Sequence, residues 1–135
     1  MYQQMIFVNL PVTDLDAAKK FFTGLGYSIN PQFSDENAAS VVISDTIVAM
    51  LLTKPFYATF TDKEIVDATK SSEVLVALSA ESREKVDELV DRALSLGGTS
   101  TGRTQDLGFM YGRSFDDLDG HTWEVIWMDP SAIES

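Results

Sequence analysis

Phe115-Asp116-Asp117-Leu118-Asp119-Gly120-His121-Thr122-Trp123-Glu124-Val125-Ile126-Trp127 reads as a strand end, a tight acidic turn and a second strand. Asp119-Gly120 between apolar runs is a strong hairpin signal, because glycine takes the positive φ that such turns need. Glu124 then interrupts an apolar run from Trp123 to Trp127. A carboxylate in so hydrophobic a strand either faces water or sits in a site that uses it.

Working outward, the hairpin (109–115 and 122–128) closes a longer unit. Residues 73–79 are β-rich and predict a strand. Ser82 is placed to cap a helix with Val86, Leu89, Val90, Ala93 and Leu94 on one face, ended by Gly97-Gly98. The same order occurs earlier in the chain. Met5 to Val12 is β-rich. Thr13 or Asp14 caps a helix to about Gly24 with Leu15, Ala18, Phe21 and Phe22 at helical spacing, and Gly26 follows as its C-terminal stop. Strand-like segments over 40–44 and 46–52 complete it. Each half is strand, helix, then two or three strands, offset by roughly seventy residues, which marks an internal repeat.

Between the halves, residues 53–72 carry Phe56, Tyr57 and Phe60, which argue against a disordered linker. These aromatics suit a segment covering the end of a core or closing over a cavity. Thr61 or Asp62 is placed to cap a short helix to about Ala68.

The chain has 135 residues, 44% hydrophobic, enough for one domain with a proper core. No 18-residue apolar run predicts a membrane span. The N-terminus lacks the pattern of a signal peptide, and the absence of cysteine excludes disulfides and thiolate chemistry. A cytoplasmic protein is the expectation. A net charge of −11 argues against nucleic-acid binding, which needs a basic surface. Gly97, Gly98 and Gly102 follow a helix rather than open one, so they form no phosphate loop. With His121 the only histidine, there is no Ser/His/Asp set.

A duplicated βαβββ module, Val12-Thr13-Asp14-Leu15 leading the first helix, and the ending Phe115-x-Asp117-x-Asp119-Gly120-His121-x-x-Glu124 together resemble the vicinal oxygen chelate superfamily. It includes glyoxalase I, extradiol dioxygenases, and fosfomycin and bleomycin resistance proteins, and the closest look is to its small glyoxalase-like bacterial members. The resemblance covers residues 5 to 128. It implies an α+β fold: one glyoxalase-like domain over 1–135, with modules over about 5–52 and 73–128 joined by 53–72. Their strands would curve into an open barrel with helices outside.

The resemblance also implies a metal position, held in metal-dependent members by His and Glu of the first and last strands of each module. In this chain Glu124 matches the last-strand position of the second module. Phe7 and Leu75 occupy the two opening-strand positions, and Ala49 or Met50 falls at the remaining one. One carboxylate does not hold a transition metal. His121 lies three residues from Glu124, on the opposite side of a strand, and reads as a turn residue. No cofactor is therefore expected, and a divalent metal only with a rebuilt ligand set.

Alternation gives the inner face. With Glu124 inward, Thr122 and Ile126 share its side, while Trp123, Val125 and Trp127 pack beneath the helices. Phe7, Asn9 and Pro11, and likewise Leu75, Ala77 and Ser79, take the cavity side. Such a lining, apolar with a few polar groups, suits a small molecule. Tyr111 and Arg113 share one face of the preceding strand; if it is the inner one, Arg113 pairs with Glu124 or holds a substrate anion, and otherwise it is a rim or surface residue. The candidate ligand-binding set is thus Phe7, Asn9, Leu75, Ser79, Tyr111, Arg113 and Glu124. Glu124 is also the candidate base, since desolvation raises a carboxylate's pKa; the competing reading is an idle carboxylate hydrogen-bonded to a neighbour.

Three functional readings follow: a module that binds a small apolar or aromatic ligand without metal, metal-free binding being what bleomycin-resistance proteins do; an enzyme, either a metal-dependent lyase or dioxygenase or a metal-free isomerase using Glu124; or a structural or interaction domain, such as a homodimer through edge strands, without ligand.

Overall fold

The computed structural model describes residues 2–132 and comprises two compact units, Met1–Asp67 and Ala68–Ser135. In the first unit the elements run β1 (Ile6–Val12), α1 (Leu15–Gly24), β2 (Ser28–Asn30), β3 (Ala38–Val42), β4 (Ile47–Thr53) and α2 (Lys54–Tyr57). The sheet order is β1-β4-β3-β2, with β1 parallel to β4 and the other pairs antiparallel. Asp14 caps α1, its carboxylate accepting the Ala17 N–H at 3.0 Å. Leu15, Ala18, Phe21 and Phe22 are its buried stripe, and the helix lies against β3 and β4. Gly26, just past the helix, takes a φ of +109°, as the sequence requires of it.

The second unit repeats the order: β5 (Val76–Ser79), α3 (Arg83–Ser95), β6 (Thr99–Asp106), β7 (Met110–Asp116) and β8 (Thr122–Met128), arranged β5-β8-β7-β6. Here too the first strand is parallel to the last. Ser82 caps α3 by accepting the Lys85 N–H, and Val86, Val90 and Ala93 are buried along it. The α+β fold of two βαβββ modules is therefore present, with each half ending in three strands. The strands form two separate four-stranded sheets.

Several elements differ from the sequence reading, the short strand β2 among them. Residues 62–68 hold no helix; the helix forms earlier, at Lys54–Tyr57, and runs into a 3-10 turn over Ala58–Phe60. Pro55 in its first turn pre-sets the helical φ, whereas the Thr61 hydroxyl accepts the Lys63 N–H in a local turn. This short helix lies against β1 and β4, and Phe56 and Phe60 meet edge to face with centroids 5.1 Å apart. β5 begins only at Val76, leaving Val74 and Leu75 exposed ahead of it. β6 was not separable in the sequence because its residues, Thr-Ser-Thr-Gly-Arg-Thr-Gln-Asp, show no apolar alternation. It is an edge strand whose pairing with β7 is broken by a bulge between Ser100 and Thr104.

The β7–β8 hairpin is closed as its sequence predicts. Gly120 donates its N–H to the Asp117 carbonyl and adopts a φ of +90°. Space fixes this residue as firmly as conformation does. A Cβ at position 120 would stand 2.7 Å from the Thr69 nitrogen and 2.8 Å from the Ala68 carbonyl carbon. The first residues of the second unit thus run directly over the turn of its last hairpin.

Candidate functional site

The register of the second sheet assigns every side chain to a face. Glu124 stands beside Ala77 of β5 and Ser114 of β7, and Ile126 beside Ser79 and Gly112. Paired residues project to the same side, so Ala77, Ser79, Gly112, Ser114, Thr122, Glu124 and Ile126 share one face. Trp123, Val125 and Trp127 share the other, with Phe115, Arg113 and Tyr111 opposite them. α3 packs on that second face, where Trp123 is 1% exposed and Val125 fully buried. The alternation read from the sequence therefore holds for β8.

Arg113 does not meet Glu124. It lies on the helix-covered face, where its Nη1 donates to Asp87 Oδ1 and Asp91 Oδ1, each at 2.9 Å. Tyr111 donates its hydroxyl to the same Asp87 oxygen at 2.6 Å. The Tyr111 bond, then Arg113, hold the Asp87 carboxyl below its ordinary range. One position further along the α3 flank, Arg83 makes a bidentate pair with Asp106, at 2.8 and 3.0 Å, and stacks over Tyr111 and Trp127. Arg83, and after it the Gly108 N–H, bring Asp106 down to about 2. Tyr111 and Arg113 thus join a polar seam that ties α3 to the sheet. The sequence signal for it was the i, i+4, i+8 spacing of Arg83, Asp87 and Asp91 beside the apolar stripe.

The sequence reading also passed over Asp117. It is 5% exposed, and its Oδ1 accepts the N–H groups of Asp119 and His121 at 3.0 Å each. Its Oδ2 accepts the Trp123 indole N–H at 3.0 Å. Burial pushes this carboxyl up from its ordinary value in spite of those donors. Asp117 is what shapes the turn, and its bond to Trp123 anchors the residue next to Glu124. His121 sits in the turn, where its N–H and C=O both bond Asp117.

Glu124 itself is half-buried and has no hydrogen-bond or ion-pair partner among the described residues. Its neighbours on the face are an exposed Ala77, an exposed Ser79, a half-buried Ile126 and a buried Ser114. Ser114 Oγ shares a 2.5 Å hydrogen bond with Thr101 Oγ1 of the β6 bulge. Leu75 lies just before β5 and is 54% exposed. Phe7 and Asn9 belong to the first unit. They share the face of β1 that carries Pro11, paired with Val48 and Met50 of β4, and both are exposed, Phe7 at 57%.

The register also settles which residue of the first unit corresponds to Glu124. Met50 stands between Asn9 and Ser40 as Glu124 stands between Ala77 and Ser114. Three of the four positions at which a metal-dependent relative would place ligands are thus Phe7, Met50 and Leu75. Among the described residues no three His, Cys, Asp or Glu side chains come together in a way that holds a metal ion. The residues present do not fit the metal that the fold family implies.

With this geometry in place, the comparisons with known proteins are specific about the class. Residues 4–44 match the family model for the bleomycin resistance protein-like N-terminal region. A hypothetical protein of S. aureus has the same fold with a TM-score of 0.77 and 29% identity, over 94% of this chain and 95% of that one. A glyoxalase/bleomycin resistance protein/dioxygenase family enzyme from Burkholderia phytofirmans follows at 0.75 and 15%, over 93% and 99%. The fosfomycin resistance protein FosX from Mesorhizobium loti gives 0.70 and 14%, over 98% of each chain. No curated protein matches the chain. The fold is that of the glyoxalase, bleomycin resistance and dioxygenase proteins, and the resemblance to the vicinal oxygen chelate superfamily holds. No helix among the described residues is long and apolar enough to cross a membrane.

Proposed function

We propose that this protein binds a small, largely apolar ligand on the Glu124 face of the second sheet, without the metal usual in its superfamily. The observation that carries the reading is the unpartnered, half-buried Glu124 among Ala77, Ser79 and Ile126, while Phe7, Leu75 and Met50 stand where metal ligands would be. Ser79 and Leu75 contribute a hydroxyl and an apolar contact. Tyr111 and Arg113 are engaged by α3 and take no part.

The test is elemental analysis after dialysis against Ni, Zn, Mn and Fe(II), with Glu124→Gln alongside, followed by thermal-shift screening of small molecules. Metal well below one per chain in both proteins, with a ligand that raises Tm, is the expected result. Stoichiometric metal that disappears in the variant overturns it. A second reading rests on the same free carboxylate, which is available as a general base for a metal-free isomerisation. Turnover that vanishes in Glu124→Gln while ligand binding persists would select it. The exposed Ile6 and Phe7 of edge strand β1 support a homodimer through strand edges, which sedimentation equilibrium checks.

A further inference from the structure

The charges of the second unit are divided between the two faces of its sheet. On the helix-covered side the two guanidinium groups that meet the sheet are matched: Arg83 with Asp106, and Arg113 with Asp87 and Asp91. On the other side, β5, β7 and β8 present Ala77, Ser79, Met110, Gly112, Ser114, Asp116, Thr122, Glu124, Ile126 and Met128, with no Lys, Arg or His. Asp116 accepts the Thr122 hydroxyl at 2.6 Å, which leaves Glu124 as the carboxylate without a partner. Arg103, the basic residue of the β6 bulge, is exposed and on the strand beyond β7, two strand spacings (roughly 10 Å) from β8.

We infer that the ligand of this face is an organic cation, an amine or amidine on an apolar body, with Glu124 as its counter-ion. The inference rests on the proposed ligand-binding role of the same face and names the chemistry that fits it. An anion placed there meets a half-buried carboxylate and no cation on β5, β7 or β8, which costs affinity. A neutral apolar molecule leaves that carboxylate partly desolvated and unpaired. An ammonium or amidinium pairs with it by a charge-assisted hydrogen bond, while Ile126 and Ala77 contact the apolar part and Ser79 offers a hydroxyl.

Three probes of one shape separate the possibilities: phenylbutylamine, phenylbutanol and phenylbutyrate, titrated into the full chain with backbone amide shifts followed by NMR. The amine is expected to shift the amides of Ala77, Ser114 and Glu124 and to bind about tenfold more tightly than the alcohol, with the carboxylate weakest. Glu124→Gln, which keeps the size of the side chain, is expected to bring the amine to the level of the alcohol. Because a net charge of −11 attracts any cation weakly, the preference is read from that difference between the two proteins. Equal binding of amine and alcohol at this face, or an amine preference that survives Glu124→Gln, overturns the inference and leaves the ligand-binding reading intact. Shifts at this face from none of the probes overturn both. Arg113→Leu, on the opposite face, is expected to leave the preference unchanged, and its loss in that variant also counts against Glu124 as the counter-ion.

Discussion

The two sheets share strand order and register but differ in what they ask of their faces. In the first unit α1 meets its sheet through apolar side chains, Leu15, Ala18, Phe21 and Phe22, and the far face is itself buried at Val48, Leu52 and Ser40. In the second, α3 is held by an apolar stripe flanked by a polar seam, and the far face carries an accessible carboxylate. One frame thus serves as apolar core in one copy and presents chemistry in the other. The contrast centres on a single matched pair, Met50 and Glu124.

Removal of core from the first unit should have the largest effect. Phe22→Ala is expected to cost about 4 kcal/mol in urea unfolding, because the ring is almost wholly buried and the cavity it leaves is lined by rigid strands. A loss below about 1 kcal/mol would mean that this helix does not depend on its apolar stripe.

Asp117→Asn should come next, at about 2 kcal/mol, since an amide nitrogen set against the Trp123 indole N–H opposes donor to donor. Its pH dependence has a defined sign. The folded-state pKa of Asp117 is raised above 3.8, so the folded protein binds the proton more tightly than the unfolded chain. The stability this contributes is full below 3.8 and is lost as pH rises through the folded value. The gap between wild type and Asp117→Asn therefore narrows with rising pH, and a gap that widens would contradict the burial of this carboxyl.

Arg113→Leu is expected to cost only about 1 kcal/mol, because its partners on α3 are partly exposed. It tests whether the seam is an accessory to the apolar stripe. The smallest effect sharpens the contrast between two aspartates of the same unit. Asp106 is lowered from 3.8 to about 2, so its contribution is present above 3.8 and lost as pH falls toward 2. Carboxyl carbon NMR should show Asp106 titrating near 2, with Arg83→Gln returning it toward the ordinary range.

The repeat, both long helices with their caps, and the closing hairpin were legible because each is written in local signals: apolar spacing, a capping side chain, a glycine at a stop. Glu124 was legible as an interruption in an apolar run. Three things were not. β6 draws its strand character from pairing with β7 rather than from its own composition. The face of Arg113 depends on register, and a strand's alternation tells which residues go together, not which side the helix takes. Asp117 looked like one acid among several in a turn; only the fold reveals that it is buried and binds an indole.

The backbone of Ala68 and Thr69 occupies the space a Cβ at Gly120 would need. The turn is therefore a socket as well as a bend, and its depth is set by its length. The turn at residues 43–46 is exposed at Ser44 and Asp45, whereas chain added at residues 117–121 displaces the entry to its own unit. In descendants of this sequence, insertions that vary a ligand's surroundings are then expected around β6–β7, while the hairpin that carries Glu124 keeps its length.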